Sequence, residues 1–343
     1  MLETYCCGTK VEKGSWQGEP SIKFCSGGYE AVMLPGVGAN VVSLRNIDLD
    51  CDILRSPEEV NAFRGFPVVY GIPILFPPNR IEDGIFEAAG RKYVFPINEE
   101  SRNNHCHGFL FYQKWETTRM EILPDGAAEV EVTFVADDST DFYQYFPHEF
   151  KITIINRLSS EGLRQEITIE NNSSSPMPMG FGFHTVFNFP FRKDSTKEDY
   201  RLIVSAGKLW ELNDRMLPTG RLLTPYERYI PIRKEGINPG EFPMDGHFTA
   251  EPLHIGASEF HGAILRDTSK NIDLVYEVGE GFKHWMIWNA DGNQGFVCPE
   301  PQTWAVNAPN IKLPPEVTGL YIIEPGKKWN DYCKIMVMKT EEV

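Results

Sequence analysis

A single glutamate stands between two prolines in the stretch FVCPEPQT, residues 296–303. Proline fixes φ at about −65° and cannot donate a backbone hydrogen bond, so Pro299 and Pro301 stiffen the backbone on either side of Glu300. Prolines placed in this way are typical of a strand end or a sheet edge. A carboxylate held on such a stiff support is suited to act as a base, and we interpret Glu300 as a candidate catalytic residue.

A lone histidine, His184, lies within the aromatic run GFGFHTVFNFPF, residues 180–191. A buried core histidine bonded to a neighbour is the ordinary explanation for such a residue. The alternative is a histidine whose surroundings keep its pKa near neutrality, which suits it to proton transfer. Because Gly180 and Gly182 leave space beside the strand for a ligand, His184 is a second candidate catalytic residue.

Two further histidines, His105 and His107, occur in RNNHCHGF. If this stretch is a strand, both imidazoles point to the same face, which indicates a metal site or a polar pocket. A cupin-type metal site has a glutamate a few residues further on, whereas the next one here is Glu116. We therefore favour a polar pocket, with a structural role for at least one of the pair.

Other polar residues follow apolar or aromatic stretches. Asn79 and Arg80 end GIPILFPPNR and offer donors to ring and hydroxyl oxygens, although a surface ion pair is the alternative for Arg80. Asp245 in MDGHFTA is an acceptor for hydroxyls, although Asp-Gly often marks only a turn. Trp285 and Trp288 in FKHWMIWN could stack on a sugar, although such tryptophans more often belong to a core.

The elements that must position these residues are mostly strands. Alternating or β-rich runs, each bounded by turn residues, predict strands at 128–137, 150–159, 163–172, 261–267, 271–279 and 318–326. SPEEVNAF predicts one short helix over 56–63, with Ser56 as its cap and Pro57 in the first helical position. Many short strands and no visible break predict a single large all-β domain over residues 1–343.

The composition is ordinary for a globular protein, but the chain is acidic, with a net charge of −15 over 343 residues. Phosphate backbones repel such a chain, so we expect no nucleic-acid partner. No apolar run has the length of a membrane helix, and the first sixteen residues hold no apolar segment typical of a signal peptide. The seven cysteines form no CxxC pair, which favours reduced thiols in a cytoplasmic protein.

Taken in order, these stretches resemble the aldose 1-epimerase (galactose mutarotase) family. The resemblance rests on LPGVGANVVSL, PPNRIEDGIFEAAGRKY, NNHCHGF, HTVFNF, DGHF and VCPEPQT, which span roughly residues 30 to 310. It implies a galactose mutarotase-like β-supersandwich, Glu300 as general base and His184 as general acid. It also assigns sugar binding and charge stabilisation to the following residues: Asn79, Arg80, His107, Asp245 and His284.

The implied reaction is the interconversion of sugar anomers, which requires neither a cofactor nor a metal. A base removes the C1 hydroxyl proton, an acid protonates the ring oxygen, and the ring opens to an aldehyde that recloses with either configuration. The partner would be a small aldose, bound by a monomer or homodimer. The sequence differs from free-galactose mutarotases in reading HGF for HGG, and GIPILFP resembles the related hexose-6-phosphate epimerases.

Three alternatives follow from the same residues. A hexose-6-phosphate epimerase would carry arginines where this chain has Tyr70 and Phe111, so an unphosphorylated sugar is favoured. A sugar-binding or sensor protein on the same fold would bind an aldose with little turnover. A cupin-type enzyme would use His105 and His107 to bind a metal.

Overall fold

The computed structural model describes residues 8–256 and 258–340, and antiparallel strands make up most of its regular structure. In the first half of the chain the strands are β1 Lys10–Trp16, β2 Glu19–Ser26, β3 Tyr29–Leu34, β4 Asn40–Asn46, β5 Cys51–Asp52, β6 Ile74–Leu75, β7 Arg80–Glu82, β8 Ile85–Ala88, β9 Arg91–Val94, β10 Asn104–Cys106, β11 Glu116–Ile122, β12 Ala128–Ala136, β13 Phe150–Ser159 and β14 Gly162–Asn171. In the second half they are β15 Met177–Met179, β16 Gly182–Phe183, β17 Phe187–Asn188, β18 Tyr200–Val204, β19 Ala206–Leu212, β20 Pro218–Leu223, β21 Asp245–Ala250, β22 Leu253–Ile255, β23 Ser258–Phe260, β24 Gly262–Asp267, β25 Ile272–Val278, β26 His284–Trp288, β27 Phe296–Gln302, β28 Tyr321–Ile323 and β29 Lys328–Lys339.

Three sheets hold most of these strands. The scaffold sheet has the order β11-β12-β13-β14-β29-β25-β24-β18, and the N-terminal sheet has the order β1-β2-β3-β4-β5 and packs on it through β1 and β2. The site sheet has the order β20-β19-β21-β26-β27-β16-β6, with β17 also paired to β27. The prediction of an all-β protein is confirmed.

The scaffold strands form where the sequence alternates. In β13, Phe150, Ile152 and Ile154 are buried while the residues between them are partly exposed, as a period of two requires. The predicted strand over 318–326 is shorter, because Gly319 ends a helical turn with φ at 73° and only Tyr321–Ile323 is extended.

The helices are short. They are α1 Val60–Gly65 and α2 Pro315–Thr318, with the 3₁₀ turns η1 Pro67–Val69, η2 Glu100–Arg102, η3 Leu110–Tyr112, η4 Lys197–Asp199, η5 Glu227–Arg233 and η6 Ala308–Asn310. Over the described ranges, none has the length and apolar composition that a membrane crossing requires.

The predicted helix over 56–63 begins later than expected, at Val60, and Ser56 does not cap it. The side chain of Gln17 takes the capping role instead. Its Oε1 accepts the Val60 N–H at 2.9 Å, and its Nε2 donates to the Glu58 carbonyl at 2.6 Å. A residue distant in sequence therefore satisfies a group at the start of the helix, which local capping rules do not predict.

One buried apolar cluster extends from Ile22 to Val337 and unites the three sheets. The expectation of reduced thiols is wrong at Cys25, which is disulfide-bonded. Four cysteines in the described residues are free thiols: Cys51, Cys106, Cys298 and Cys333. Cys6 and Cys7 lie outside the described residues.

Candidate active site

The site sheet turns one face of β21, β26 and β27 toward a cavity. Directly opposed residues of antiparallel strands lie on the same face. Glu300 on β27 is opposite Met286 on β26, which in turn is opposite His247 on β21. In the neighbouring row, Trp288 is opposite Asp245. All of these except His247 border the cavity.

The pairing of β27 explains how two prolines fit within a strand. β26 pairs with β27 from Cys298 to Gln302. On the other edge, β17 pairs only with Phe296 and Val297, and β16 only with Gln302. The described strands leave the stretch around Glu300 unpaired on that edge, so the missing proline N–H groups interrupt little of the ladder.

His184 meets Glu300 at the floor of the cavity. It lies between β16 and β17, where its backbone N–H donates to the Pro73 carbonyl at 3.0 Å. Its Nε2 is 3.3 Å from Oε1 of Glu300. The two side chains are almost completely buried, with His184 5% and Glu300 1% exposed. The structure therefore brings together the two predicted catalytic residues.

Burial changes the proton affinity of both groups. Loss of hydration, followed by repulsion from Asp245, raises the pKa of Glu300 well above its ordinary value. Burial lowers the pKa of His184 to about 4. Burial therefore favours a pair that holds one proton between them, either on the carboxyl or shared across the 3.3 Å contact as carboxylate and imidazolium.

His107 packs against His184, but it lies just after the strand that was predicted to carry it. β10 ends at Cys106, and His107 adopts φ of 67°, with its ring centroid 5.3 Å from that of His184. The next residue, Gly108, also has positive φ, and a Cβ there would lie 2.0 Å from the carbonyl oxygen of Phe76. The close approach of these two backbones turns His107 toward the cavity.

The prediction that His105 and His107 share one strand face is therefore wrong. The Nδ1 of His105 lies 2.7 Å from the Pro96 carbonyl, and its ring packs between Phe95 and Phe109. This is a structural role, as expected for at least one of the pair. In the described part of the chain, no group of three or more His, Cys, Asp or Glu side chains is arranged to hold a metal ion.

Arg80 borders the cavity beside Asn79 and is held by a carboxylate that sequence reasoning missed. Its Nε and Nη2 donate to the two oxygens of Glu99 at 2.9–3.1 Å. Glu99 also accepts from Asn104 at 2.9 Å and from Arg102 at 3.0 Å. Burial acts to raise the pKa of Glu99, but these donors hold it below its ordinary value. The resulting network fixes the plane of the Arg80 guanidinium.

Asp245 lies at the start of β21 and opens onto the cavity. Its surface is accessible because the cavity is open, yet the surrounding protein removes enough hydration to raise the pKa of its carboxyl. The positive charge of Arg80 acts in the opposite direction. The predicted residues Asn79, Arg80, His107 and Asp245 therefore border one cavity with Glu300 and His184.

His284 does not border that cavity. It is 1% exposed, and its Nδ1 accepts a hydrogen bond of 3.3 Å from Nε1 of Trp210. The register places it opposite Gln302, whose Nε2 donates to Oε2 of Glu300 at 3.4 Å. The substrate-binding assignment of His284 therefore does not fit its position, which lies one row further along the same sheet face than Met286 and Glu300. The strand residues that face the cavity are Met286 and Trp288.

The two tryptophans of β26 separate as their alternation requires. Trp285 is fully buried and donates to Ser205 at 3.2 Å, whereas Trp288 borders the cavity with its ring 5.6 Å from that of His184. The cavity has a volume of about 630 Å³, within the range of small-molecule sites. Its lining residues are Phe66, Val68, Val69, Asn79, Arg80, Asn98, Glu99, Arg102, Cys106, His107, Phe111, Tyr112, His184, Asp245, Met286, Trp288 and Glu300.

Comparisons with known proteins agree with this arrangement. A family model described as Aldose 1-epimerase matches residues 20–336. The crystal structure of a galactose mutarotase-like protein from Clostridium acetobutylicum is 36% identical, with a TM-score of 0.95, and the match covers 97% of this chain and 99% of that one. The predicted galactose mutarotase-like fold is therefore confirmed.

More distant relatives extend the comparison. Galactose 1-epimerase from Lactobacillus acidophilus NCFM is 15% identical, with a TM-score of 0.73 over 97% of this chain and 99% of that one, which is a likeness of fold. The uncharacterized protein YihR of Escherichia coli K12 is 25% identical over 201 residues, or 58% of this chain. That match spans 59% of the length of YihR.

Proposed function

Since the chain belongs to the aldose 1-epimerase family, we propose that it interconverts the α and β anomers of a free aldose by opening the sugar ring. Glu300 takes the proton of the C1 hydroxyl while His184 delivers a proton to the ring oxygen. The bond between C1 and the ring oxygen breaks, and C1 becomes an aldehyde. Rotation about the C1–C2 bond and reversal of both transfers give the other anomer.

The contact between Glu300 and His184 is the observation that carries this proposal. The C1 hydroxyl and the ring oxygen are bonded to the same carbon, so a base and an acid must lie close together to reach both. Oε1 of Glu300 and Nε2 of His184 are 3.3 Å apart at the cavity floor. With one proton between them, the two residues supply both groups that ring opening needs, which are a base without a proton and an acid with one.

The other polar groups at the cavity are suited to orient a sugar. Arg80 presents a guanidinium whose plane Glu99 fixes, and Asp245 presents carboxylate oxygens that accept from hydroxyls. His107 borders the same space, and burial lowers its pKa well below the ordinary value, so it is neutral. A neutral imidazole hydrogen-bonds a hydroxyl without competing with His184 for a proton.

An unphosphorylated sugar fits the cavity better than a phosphosugar. A hexose-6-phosphate epimerase would carry arginines at the positions of Tyr70 and Phe111. Of these two residues, Phe111 borders the cavity and Tyr70 does not, so only Phe111 bears on the substrate. The two arginines at the cavity, Arg80 and Arg102, already donate to Glu99. A phosphate dianion would compete with that carboxylate for the donors.

A panel of freshly dissolved pure anomers, followed by polarimetry with and without protein, tests the function. The expected result is faster mutarotation of at least one free aldose, unchanged by a chelator. Binding without acceleration would favour the sensor alternative. Loss of the rate in chelator, with recovery on adding one divalent ion, would favour the metal alternative. A much larger kcat/KM for glucose 6-phosphate than for glucose would contradict the choice of substrate.

A further inference from the structure

The mouth of the cavity carries two aromatic side chains that the proposed reaction does not use. Phe66 is 57% exposed and Tyr112 is 49% exposed, and both border the cavity whose floor holds Glu300 and His184. Exposed aromatic surface that is continuous with a ligand cavity is typical of a binding surface.

These side chains stand on a packed support. Phe66 lies between α1 and η1, and Tyr112 ends η3, which packs against η1. Beneath them, Val68, Leu75 and Phe111 form a small buried cluster, and the Phe111 and Tyr112 ring centroids are 4.3 Å apart. We call Phe66 and Tyr112 the aromatic rim. Its base is packed in this buried cluster, so the rim can offer flat apolar surface at little entropic cost.

The chemistry at the floor determines which part of a sugar reaches the rim. If Glu300 and His184 engage the C1 hydroxyl and the ring oxygen, those two atoms lie at the closed end. In a six-membered sugar ring the opposite edge is C3 and C4, which then points to the mouth. Substituents on C3 or C4 therefore leave the cavity beside Phe66 and Tyr112.

The cavity also exceeds the needs of one sugar ring. Its volume of about 630 Å³ equals the space of roughly 20 water molecules at ~30 Å³ each, more than one pyranose displaces. At the mouth, Arg102 is half-buried, borders the cavity and is held by Glu99 through Nη1. A flat apolar rim beside a guanidinium matches a sugar, which has a C–H face and an edge of hydroxyls.

We propose that the mouth binds a second sugar unit, so that reducing disaccharides linked through C3 or C4 of the reducing unit are preferred substrates. This rests on the proposed function, because that function sets which ring atoms lie at the floor. In a disaccharide linked through C6, the second sugar is attached at a different edge of the reducing ring. Such a disaccharide is a matched control of equal composition.

The experiment compares three sugars. Glucose has no second unit, cellobiose has a second glucose joined at C4, and gentiobiose has a second glucose joined at C6. NMR exchange spectroscopy gives kcat/KM for anomer exchange of each sugar. The expected kcat/KM for cellobiose exceeds those for glucose and gentiobiose by roughly three- to tenfold, the scale of one aromatic contact. Maltose and isomaltose provide a second pair with the other linkage configuration.

Variants then locate the effect. Phe66→Ala and Tyr112→Ala should each remove most of the preference for cellobiose over glucose. Tyr226→Ala is the matched control, since Tyr226 is 52% exposed but does not border the cavity, and it should keep the preference. Equal kcat/KM for cellobiose and gentiobiose, or equal effects of the rim and control variants, would overturn the second-sugar site.

A binding measurement separates failure of this inference from failure of the proposed function. Calorimetric titration of the Glu300→Gln variant should show tighter binding of cellobiose than of glucose, and loss of that difference on adding Phe66→Ala. If the binding preference holds while the wild type accelerates no sugar, the mutarotase proposal fails and the second-sugar site stands. If the wild type turns over glucose but neither measurement favours cellobiose, the second-sugar site fails alone.

Discussion

The shared proton of Glu300 and His184 sets the pH range in which the pair can act. The active form holds one proton, so activity should fall when a second proton is added and when the last one is lost. Since burial lowers the pKa of His184 to about 4, the acid limb should lie near pH 4, below the range of an ordinary histidine. The alkaline limb should come from the raised pKa of Glu300.

The pH dependence of kcat/KM between pH 3.5 and 10 checks this expectation. The two apparent values belong to the pair, because the groups interact directly. An acid limb at about 4.3 and an alkaline limb at about 6.5 would show that the two groups titrate as an ordinary carboxyl and an ordinary imidazole.

The ionised form of Glu300 should also lower the free energy of unfolding. Its pKa is higher in the folded than in the unfolded chain, so stability is greatest at low pH and declines as pH rises past the unfolded value toward the folded one. Glu300→Gln removes this cost and should raise the free energy of unfolding at pH 8 by about 1 kcal/mol or more. The gain should shrink toward pH 4.

Urea unfolding at both pH values measures the effect. Glu87→Gln, on the exposed face of β8, is the matched control and should change little at either pH. A Glu300→Gln protein that is less stable than the wild type at pH 8 would show that the carboxylate is structural.

Gln302 is expected to position the Glu300 carboxylate. Its Nε2 donates to Oε2 of Glu300, and this bond acts to lower the carboxyl pKa. Gln302→Met should reduce kcat by roughly tenfold, the scale of a hydrogen bond to a charged group, and shift the alkaline limb to higher pH. A reduced rate with an unmoved pH profile would indicate a packing role only.

For single residues, the sequence indicated which side chains could do chemistry better than it indicated where those side chains lie. The prolines around Glu300 and the aromatic run around His184 marked two residues that do meet. Glu99 and Gln302 were missed because their partners come together only through strand register and loop closure. The family resemblance placed His284 at the site, but it lies on β26 one row beyond Met286, outside the cavity, and a strand pattern does not show how far along the strand a cavity extends.

At the scale of elements, the turn after β10 holds His107 in place. Gly108 has φ of 68°, and a Cβ would lie 2.0 Å from the Phe76 carbonyl oxygen. Gly108→Ala should therefore reduce both activity and stability, because backbone has to move away at the site. Gly90 has φ of 75° with no atom within 4 Å of its would-be Cβ, so Gly90→Ala carries the dihedral strain alone.

Thermal unfolding and polarimetric rates of the two variants make the comparison. Gly108→Ala should lose most activity and unfold at a clearly lower temperature, while Gly90→Ala should lose little of either. Equal losses would mean that the contact with the Phe76 carbonyl does not support the site.

The elements themselves could be predicted where one face of a strand is buried. β12, β13 and β14 match the predicted runs closely, because alternation follows directly from the pleat. The start of α1 and the end of β10 could not be read from local sequence. Gln17 and Phe76, both distant in the chain, decide them.

At the scale of the whole molecule, the site depends on the packing of the three sheets. Asn79 and Arg80, His107, His184, Asp245 and Glu300 come from five separate segments, and the core that aligns them extends from Ile22 to Val337. The convergence of these segments was expected from the resemblance to a known family, since alternation within a strand does not reveal which strands become neighbours. The cytoplasmic location remains a prediction.

The role of Glu300 as the base is tested most directly by the polarimetric rate of Glu300→Gln beside the wild type, on an aldose that the wild type accelerates. The variant keeps the shape and hydrogen-bonding capacity of the side chain but cannot accept the C1 hydroxyl proton. We expect a loss of at least ~10²-fold in kcat, with sugar affinity within a modest factor of the wild type. His184→Asn should be similarly severe, and the double variant should lose far less than the two losses combined. A Glu300→Gln protein that keeps most of the wild-type rate would show that Glu300 is not the base for the C1 hydroxyl.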